Sequence, residues 1–596
     1  MSATTAPTPP LPPSRPGQGT PPTPPLPTAS DRPGQGERPL APDRDGFHVY
    51  DTTLRDGAQQ EGLSLSVADK LVVAAHLDEL GVGYIEGGWP GANPRDTEFF
   101  RRAAQELTLR NATLAAFGST RRPGVAAADD EQVRALLDSQ APVVTLVAKS
   151  HVRHVELALR TTPRENLAMI ADTVGFLVAE GRRVFLDAEH FFDGYLLDRD
   201  YALAVVEASV QAGAELVALC DTNGGMLPAQ VAEVVSDVAG LTGARLGIHC
   251  HNDTGCAVAN SLAAVQAGAS HVQGTLNGYG ERTGNADLVS VVANLELKLG
   301  RAVLPVGALA EATRIAHAVA EVTNVVPYSR QPYVGASAFA HKAGLHASAV
   351  RVDPSLYQHI EPEQVGNDMR MLVSDMAGRA SIELKGRQLG FDLAGDRALL
   401  GRIAERVKRM EAAGYTFEAA DASFELLLHE EVTGRRPSFF QVESWRVITE
   451  SRPGGEAVSE ATVKLHFDHQ RVLATGEGNG PVNALDHALR QAIGQVHPQI
   501  HQLELIDYRV RIVEAAHGTD AVTRVLVETS DGTTSWETVG VGANIVEASW
   551  EALTDGVVYG LLRLAGPDSA SSTGLPDTGL ALGGLDADGR VGAPRR

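Results

Sequence analysis

The chain has 596 residues, 43% of them hydrophobic and 21% charged, and its formal net charge is −23 at pH 7. This length predicts several domains, and the negative charge argues against nucleic acid or an anionic membrane as the main partner. No apolar run reaches the roughly 20 residues that cross a bilayer, and the N-terminus lacks a signal-peptide pattern. The three cysteines include no CxxC motif, so neither a disulfide framework nor structural zinc is indicated. We therefore expect a cytoplasmic protein that binds neither nucleic acid nor a membrane.

The two ends of the chain have the composition of disordered tails. Residues 1–45 contain fourteen of the 32 prolines. The stretch 567–596 is rich in Gly, Ala, Ser and Asp. Such segments bury too little apolar surface to offset the entropy of ordering, so both tails are predicted to be disordered.

Between residues 46 and 300 the pattern alternates between strand and helix eight times. The predicted strands begin near Phe47, Tyr84, Thr113, Val143, Arg183, Glu215, Arg245 and His271. Five of the helical segments end in a glycine that leads to the next strand, namely Gly81, Gly181, Gly213, Gly243 and Gly268. Eight βα units in about 255 residues predict a TIM (β/α)8 barrel of the α/β class. A doubly wound open sheet is the alternative, but it gives no reason for eight regular units.

Two further regions follow the predicted barrel. Residues 301–405 are mostly helical with polar loops and are expected to form a linker subdomain. Residues 406–566 hold two βββα repeats at an offset of 64, which aligns Gly476 with Gly540 and Gly478 with Gly542. We expect this part to be a separate, pseudo-symmetric α+β domain.

Polar residues cluster where the barrel strands end, which is where TIM barrels carry their chemistry. His249 and His251 close an apolar strand and project to one side, while Cys250 points away as a packed core thiol. An isolated His-x-His pair on a strand is more often structural than metal-binding. One carboxylate, Asp56 after the first strand, would complete a facial metal site with open positions for a 2-keto acid. Since strict alternation would place Arg55 and Asp56 on opposite faces, the chain must already be turning at Gly57.

Other strand ends supply candidate substrate contacts. Arg55 has the donor geometry to hold a carboxylate or a developing oxyanion. Thr222 is positioned to donate a hydroxyl hydrogen bond to a substrate carboxylate. Glu189 ends an apolar strand and is expected to face Phe191 and Phe192 as a general base, with a structural salt bridge as the alternative.

These motifs resemble those of the DRE-TIM metallolyase family. The resemblance rests on Asp51-Thr-Thr-Leu-Arg-Asp-Gly57, His249-Cys-His-Asn-Asp253 and Gly280-Glu-Arg-Thr-Gly-Asn285, and it spans about 47–560. It implies that the residues of the site bind a metal, bind the substrate or act in catalysis. By this resemblance the metal residues are Asp56, His249, His251 and Asn285, the substrate-binding residues Arg55, Gln59 and Thr222, and the catalytic residues Arg55, Glu189, His346 and Tyr357.

The resemblance implies an acyltransferase that uses a divalent cation (Mg, Mn, Zn or Co). Within the family, the chain looks most like the branch that condenses acetyl-CoA with pyruvate and then hydrolyses the thioester, for isoleucine biosynthesis. The alternative substrate is 2-ketoisovalerate, for leucine biosynthesis, and Ala58 stands where enzymes of that branch frequently have Glu. Trp89 at the second strand end would leave room for a methyl but not an isopropyl group. The loop 278–284 lacks the cysteine of the lyase branch.

The C-terminal repeats resemble the regulatory, dimerisation domain of the synthases in this family. They imply a homodimer, with isoleucine or leucine as a possible effector at the interface of the two repeats. A dimerisation module without a ligand is the alternative for this domain. For the whole chain, a hypothesis of another class is a catalytically inactive barrel that serves as an amino-acid sensor, against which the intact Asp56, His249 and His251 argue.

Overall fold

The computed structural model describes residues 46–565, except 452–454, 456, 469 and 514–520. Both predicted tails, 1–45 and 567–596, lie outside the described residues. Within the described part, no helix is long and apolar enough to cross a membrane.

The predicted TIM barrel is confirmed. Eight strands close into a barrel in chain order, with every neighbouring pair parallel and β1 paired with β8. The strands are β1 (His48–Asp51), β2 (Tyr84–Gly88), β3 (Thr113–Ser119), β4 (Val143–Lys149), β5 (Arg183–Glu189), β6 (Leu216–Asp221), β7 (Leu246–Cys250) and β8 (His271–Gly274).

Ten helices follow the barrel strands. They are α1 (Val67–Leu80), α2 (Pro94–Glu106), α3 (Glu131–Asp138), α4 (Val152–Leu157), α5 (Pro163–Ala179), α6 (Phe191–Leu197), α7 (Arg199–Gln211), α8 (Pro228–Thr242), α9 (Ala257–Gln266) and α10 (Leu288–Leu297). The five predicted helix-ending glycines all have positive φ, from 61° at Gly243 to 114° at Gly268. Because this backbone conformation costs glycine little, each of them ends its helix and turns the chain toward the next strand.

Strand alternation divides the barrel residues between an outer core and the lumen. Outward residues such as Ile248 and Cys250 join the apolar layer under the helices, so Cys250 packs as predicted. Inward residues fill the lower lumen with a second apolar cluster that includes Tyr50, Tyr84 and Phe185. Because apolar side chains fill the lower lumen, the inward polar residues can meet only at the carboxyl ends of the strands.

The region between the barrel and the C-terminal sheets is mostly helical, and the predicted boundary at residue 405 lies within one of its helices. The elements of this region are α11 (Ala312–Thr323), β9 (Ala340–His341), α12 (Gly344–Val350), β10 (Arg370–Met371), α13 (Arg379–Gln388) and α14 (Arg397–Ala412). Before the first C-terminal sheet comes α15 (Asp421–Thr433), which packs in the core of the C-terminal sheets through Ala422 and Leu426. The predicted boundary falls inside α14, whose buried residues continue to Val407. The charged, helix-period sequence of α14 carries no break at 405 that would mark an end.

The C-terminal region consists of two three-stranded antiparallel sheets, each followed by a helix. The first unit is β11 (Gln441–Ser451), β12 (Ala457–Phe467), β13 (Gln470–Gly478) and α16 (Pro481–Gly494), and the second is β14 (Glu504–Ile512), β15 (Thr523–Ser530), β16 (Ser535–Gly542) and α17 (Ile545–Ala565). The repeated glycines explain how each helix approaches its sheet. A Cβ on Gly476 would lie 2.7 Å from the Ala484 carbonyl oxygen, and one on Gly540 would lie 2.0 Å from that of Ala548.

Candidate active site

Three buried side chains meet at the mouth of the barrel: Asp56 after β1, and His249 and His251 at the end of β7. Oδ2 of Asp56 lies 3.3 Å from Nε2 of His249 and 3.6 Å from Nε2 of His251. The two Nε2 atoms are 3.1 Å apart. Ligand atoms at about 2.1 Å from one cation are about 3 Å apart on adjacent octahedral positions, so this triangle has the size of a facial metal site.

The turn after β1 explains how Arg55 and Asp56 both reach the lumen. The strand ends at Asp51, whose carboxylate accepts hydrogen bonds from the backbone N–H and hydroxyl of Thr53. The backbone N–H groups of Arg55 and Gly57 then donate to the carbonyl of Thr52. Because these residues no longer alternate as a strand, neighbouring side chains can share one face.

The cluster places a negatively charged carboxylate, Asp56, beside an imidazole, His249, that favours its protonated form. Burial opposes ionisation of Asp56, but the Arg55 guanidinium and hydrogen bonds from the two histidines hold the pKa of its carboxyl well below the usual range. Burial likewise disfavours the charged form of His249, yet its contact with Asp56 raises the pKa of the imidazole. Asp56 is therefore an anion, ready to hold a cation or a protonated imidazole.

His249 is held from behind by a chain of side chains across the lumen. Its Nδ1 donates to Oε1 of Gln273 at 2.8 Å, and Nε2 of Gln273 donates to Asp187 at 2.7 Å. Burial, followed by the nearby Glu86 charge, raises the pKa of Asp187 to about 7. Because Nδ1 of His249 donates to Gln273, Nε2 is the nitrogen that would bind a metal, in place of its present contact with Asp56.

Asn285 gives an independent indication that a ligand belongs here. The amide donates to the carbonyl of Tyr279 at 3.0 Å, but its buried Oδ1 has no hydrogen-bond partner among the described residues. Asn285 also forms a backbone bridge with His251, which places it beside the cluster. A carboxylate, two imidazoles and an unpaired amide oxygen fit a divalent cation. Ligation through Nε2 of His251 requires its proton on Nδ1, so Arg282, which donates to Nδ1 at 2.8 Å, must then turn away from that atom.

Arg55 is fixed beside the cluster by three contacts. Its Nε donates to Glu86 at 2.5 Å, and its Nη1 lies 3.3 Å from Asp56. Its guanidinium also lies over the ring of Phe117, 3.9 Å from the ring centroid. These contacts hold the rigid guanidinium of Arg55 beside the Asp56–His249–His251 cluster.

Glu189 lies at the inward end of β5, but its surroundings differ from the expectation. It forms an ion pair with Lys149 on β4, whereas Phe191 and Phe192 are buried in the outer apolar core. The reason is the backbone of His190, whose left-handed conformation turns the chain so that the two rings enter α6. Glu189 is thus a paired carboxylate at the barrel mouth rather than one enclosed by aromatic rings.

Thr222 and Gln59 lie on two other loops of the barrel mouth. The hydroxyl oxygen of Thr222 accepts a hydrogen bond from the backbone N–H of His190 at 2.8 Å. Gln59 is exposed and lines a cavity of about 270 Å³ that it shares with Arg55 and Trp89. The roles of both residues remain predictions.

His346 and Tyr357 lie together in the linker. Their rings stack with centroids 4.1 Å apart, and Tyr357 is 42% exposed. Across the described ranges, no hydrogen bond, ion pair or ring contact joins this pair to Asp56, His249 or His251. The structure brings the two residues to each other but not to the metal residues.

Sequence reasoning gave no role to four residues that hold the site: Glu86, Asp187, Gln273 and Arg282. Glu86 and Asp187 are charged residues at inward positions of otherwise apolar strands, a signal that was available from the sequence. Gln273 had no such signal, because a neutral side chain in a short strand is unremarkable. Arg282 joins Asp253 and the Thr222 carbonyl as well as His251.

The fold and this site define a TIM-barrel enzyme with a candidate metal site made of a carboxylate and two imidazoles. Residues 47–319 match the HMGL-like family, 333–414 the homocitrate synthase post-HMGL domain-like family, and 418–561 the LeuA allosteric (dimerisation) domain. The chain is 67% identical over 519 residues to the (R)-citramalate synthase of Streptomyces coelicolor, covering 87% of this chain and 97% of that protein.

Two other relatives cover a similar share of the chain. The (R)-citramalate synthase of Synechocystis sp. is 48% identical over 88% of this chain and 98% of its own length. A probable 2-isopropylmalate synthase of Methanopyrus kandleri is 34% identical over 87% of this chain and 98% of its own. The chain belongs to the (R)-citramalate synthase family, whose members are acyltransferases.

Proposed function

We propose that this chain joins the methyl carbon of acetyl-CoA to the keto carbon of pyruvate and then hydrolyses the thioester, releasing (R)-citramalate and CoA. The observation that carries this proposal is the buried Asp56–His249–His251 triangle with Arg55 fixed beside it. The 67% identity to an (R)-citramalate synthase supports the choice of pyruvate. We place the product on the route to isoleucine.

The site residues have different roles in the first step, the binding and polarisation of pyruvate. Asp56, His249, His251 and Asn285 would hold the divalent cation, which, when bound, polarises the keto group and offsets the charge that develops on its oxygen. Arg55 holds the substrate carboxylate or meets the developing charge, and the Thr222 hydroxyl donates a hydrogen bond to the carboxylate. These contacts orient pyruvate before the second substrate reacts.

Proton transfers complete the reaction. Glu189 or His346 takes a proton from the acetyl methyl group, and the resulting carbanion forms the new carbon–carbon bond. The keto oxygen gains a proton and becomes the hydroxyl of the product. Water, assisted by His346 and Tyr357, then adds to the thioester carbonyl, and the C–S bond breaks to give the carboxylate and the CoA thiol.

A wall of aromatic rings favours a small keto acid. The ring of Trp89 packs edge-on against Phe117 at 5.3 Å, and its indole N–H donates to Gln132 at 2.5 Å. Phe117 in turn supports the Arg55 guanidinium. We expect this wall to leave space for the methyl group of pyruvate and to exclude the isopropyl group of 2-ketoisovalerate.

A keto-acid panel with acetyl-CoA tests the proposal. Thiol release is followed for pyruvate, 2-ketobutyrate and 2-ketoisovalerate, with and without a chelator, and then after adding back Mg²⁺, Mn²⁺, Zn²⁺ or Co²⁺. Pyruvate should give the highest kcat/KM, and the chelator should abolish the reaction. A higher kcat/KM for 2-ketoisovalerate would identify a 2-isopropylmalate synthase, and no release with any keto acid would favour a non-catalytic sensor.

The metal residues are tested with Asp56→Asn, which keeps the size of the side chain and removes its charge. This variant should lose at least about 100-fold in kcat/KM, because a carboxylate ligand and its neutralising charge are both lost. Calorimetric titration with Mn²⁺ should show the corresponding loss of binding. Asp237→Asn, which changes a carboxylate on α8 that pairs with Arg199 and contacts no residue of the triangle, serves as the comparison and should still bind Mn²⁺.

The C-terminal domain offers a site for an amino-acid effector. A cavity of about 540 Å³ lies between the start of α16 in the first repeat and β14 in the second. Val482, Leu503 and Leu505 supply an apolar wall, and Arg490 and Tyr508 supply polar groups. A branched aliphatic side chain fits such a wall, so we propose isoleucine, with leucine as the alternative.

Tyr508→Ala in the full-length protein tests the effector site. We expect isoleucine to inhibit the parent and the variant to need at least tenfold more isoleucine for the same inhibition. Its activity without isoleucine should match that of the parent, because Tyr508 lies outside the barrel. If neither isoleucine nor leucine changes the activity of the parent, the domain serves dimerisation alone.

The match to a LeuA allosteric (dimerisation) domain also supports a homodimer. Apolar residues on strands of both sheets remain exposed in the single chain, including Ile448, Leu473, Ile506 and Val510, each at 42% or more. We propose that a second copy of the chain covers part of this surface.

A further inference from the structure

One peptide group at the mouth of the barrel links the ends of three strands. The carbonyl of Glu189, the last residue of β5, accepts hydrogen bonds from both the backbone N–H (3.1 Å) and the hydroxyl (2.7 Å) of Ser150, which follows β4. The N–H on the other side of the same peptide belongs to His190 and donates to Oγ1 of Thr222, which follows β6, at 2.8 Å. A single rigid unit therefore sets the position of Thr222 relative to Glu189.

His190 is one of eight non-glycine residues with a positive φ among the described residues. Its φ is 56° and its ψ is 35°, in the left-handed region. A residue with a Cβ is disfavoured there, and such strain gathers at functional sites where the surroundings enforce it. In this conformation the N–H of His190 points toward β6 instead of continuing the strand, and its carbonyl starts α6 by accepting from Gly194.

The His190 ring supplies the packing that holds this conformation. It is largely buried, with 12% of the side chain exposed, and lies against the ring of His154 with centroids 4.0 Å apart. Its Nδ1 is buried without a hydrogen-bond partner among the described atoms. The nearest charged group to Nδ1 is Oδ2 of Asp193, at 4.0 Å, which is beyond hydrogen-bond distance. Contact with the His154 ring therefore holds the His190 ring, and removal of the His190 ring should release the backbone.

Hydrogen bonds to its carbonyl and to its hydroxyl oxygen restrain Thr222, and they leave its hydroxyl proton free to be donated. Its carbonyl accepts from Nη2 of Arg282 at 2.9 Å, and Arg282 also contacts His251. Its hydroxyl oxygen is occupied by the N–H of His190. Since that oxygen acts as an acceptor toward the protein, and no described residue accepts its proton, the hydroxyl is presented as a donor to a ligand.

We propose that His190 is a positioning residue for the keto acid: its left-handed backbone, held by the packing of its ring, aims the Thr222 hydroxyl at the substrate carboxylate. This inference rests on the proposed function of the site. In this proposal His190 acts only by positioning Thr222, and it does not contact the reacting atoms.

The test compares two substitutions that both keep the backbone N–H. His190→Ala removes the ring and retains a Cβ that disfavours the left-handed conformation, so KM for pyruvate should rise roughly fivefold to tenfold. His190→Gly also lacks the ring but tolerates this conformation, so it should recover most of the loss. KM for acetyl-CoA should stay within about twofold of the parent in both variants.

Thr222→Val provides the second half of the test. If His190 acts through Thr222, His190→Ala should add nothing further to KM for pyruvate in the Thr222→Val background. Additive effects, an equal rise in KM for acetyl-CoA, or a glycine variant as impaired as the alanine variant would each overturn the proposal. Thermal midpoints within a few degrees of the parent's establish that the variants fold.

A binding measurement separates this proposal from the proposed function. Pyruvate is titrated calorimetrically into the Mn²⁺-loaded parent, His190→Ala and His190→Gly, and the ratios of Kd should follow the KM ratios. A parent that binds pyruvate but releases no CoA would refute the condensation and still decide the role of His190. A parent that binds no keto acid would overturn both.

Discussion

His249 shows best how the site is built, because neighbouring side chains hold its ring on both sides. Asp56 lies on one side of its ring, and the Gln273–Asp187 pair holds the other side. The second contact fixes which nitrogen carries the proton, a property that a His-x-His pattern cannot reveal. A metal site needs this support because a ligand that rotates or holds its proton on the wrong nitrogen binds poorly.

Gln273→Leu should therefore weaken metal binding. The substitution keeps the side-chain size but removes the acceptor for Nδ1 of His249 and leaves Asp187 without its partner. We expect a loss of about 10- to 100-fold in Mn²⁺ affinity, as is typical for residues that orient metal ligands. Calorimetric titration of the metal-stripped protein measures the effect. Unchanged affinity would show that Asp56 and His251 orient the ligand set without this support.

At the scale of elements, the C-terminal repeats depend on glycines that let a helix lie close to a sheet. Gly476 and Gly540 occupy equivalent positions in β13 and β16, and each has backbone atoms of its helix where a Cβ would be. This is a packing requirement rather than one of backbone freedom, since neither glycine has a positive φ. The 64-residue offset in the sequence thus reflects a steric contact repeated in the fold.

Gly540→Ala should destabilise the C-terminal domain. A Cβ there would lie 2.0 Å from the carbonyl oxygen of Ala548, so the strand and helix must separate at a cost of about 3 kcal/mol. Calorimetry should show a lower transition temperature for this domain while activity in the barrel persists. Gly542→Ala, whose Cβ would meet its nearest atom at 3.5 Å, is the matched control and should leave that transition nearly unchanged.

The base of the barrel makes a second prediction at this scale. His48 is buried there, with Nε2 2.9 Å from Nη2 of Arg245 and Nδ1 3.5 Å from Nδ1 of His271. Burial, followed by the Arg245 charge, lowers the pKa of His48 to about 4. Because the unfolded chain takes up this proton near pH 6.5 and the folded barrel does not, stability is lost as the pH falls from about 6.5 toward 4.

His48→Gln should reduce this acid sensitivity. Between pH 6.5 and 5 we expect the parent to lose about 2 kcal/mol more barrel stability than the variant, since each unit of pKa difference corresponds to about 1.4 kcal/mol. Urea denaturation at several pH values, followed by intrinsic fluorescence, measures the difference. Parallel pH dependence in the two proteins would contradict a neutral His48 in the folded barrel.

At the scale of the whole molecule, the linker packs on both of its neighbours. Tyr333, Val334 and Phe339 belong to the apolar core of the barrel, while residues of α13 and α14 share a core with Val539 and Val541 of β16. A displacement in the C-terminal domain is thereby connected to the segment that carries His346 and Tyr357. This arrangement offers a physical route from the proposed effector site to the proposed thioester step.

The proposed dimer is tested on the exposed strands of the C-terminal sheets. The parent should sediment with the mass of two chains. Ile448→Asp combined with Val510→Asp should shift the protein toward one chain, because burying the two charges in an apolar interface is unfavourable. Val326→Asp, at an 88% exposed position outside these sheets, is the control and should leave the mass unchanged. A parent that sediments as a single chain would contradict the proposal.

The sequence by itself determined the elements and the strand ends at which polar residues collect. Periodicity and helix-ending glycines located the start of all eight barrel strands to within one residue, because each strand is short, apolar and bounded by turn residues. Only the tertiary structure decided the pairings of side chains across the barrel. These pairings join Glu189 to Lys149, Arg55 to Glu86 and His249 to Gln273. Like the continuation of α14 past residue 405, they depend on how distant segments of the chain come together, which local sequence patterns do not encode.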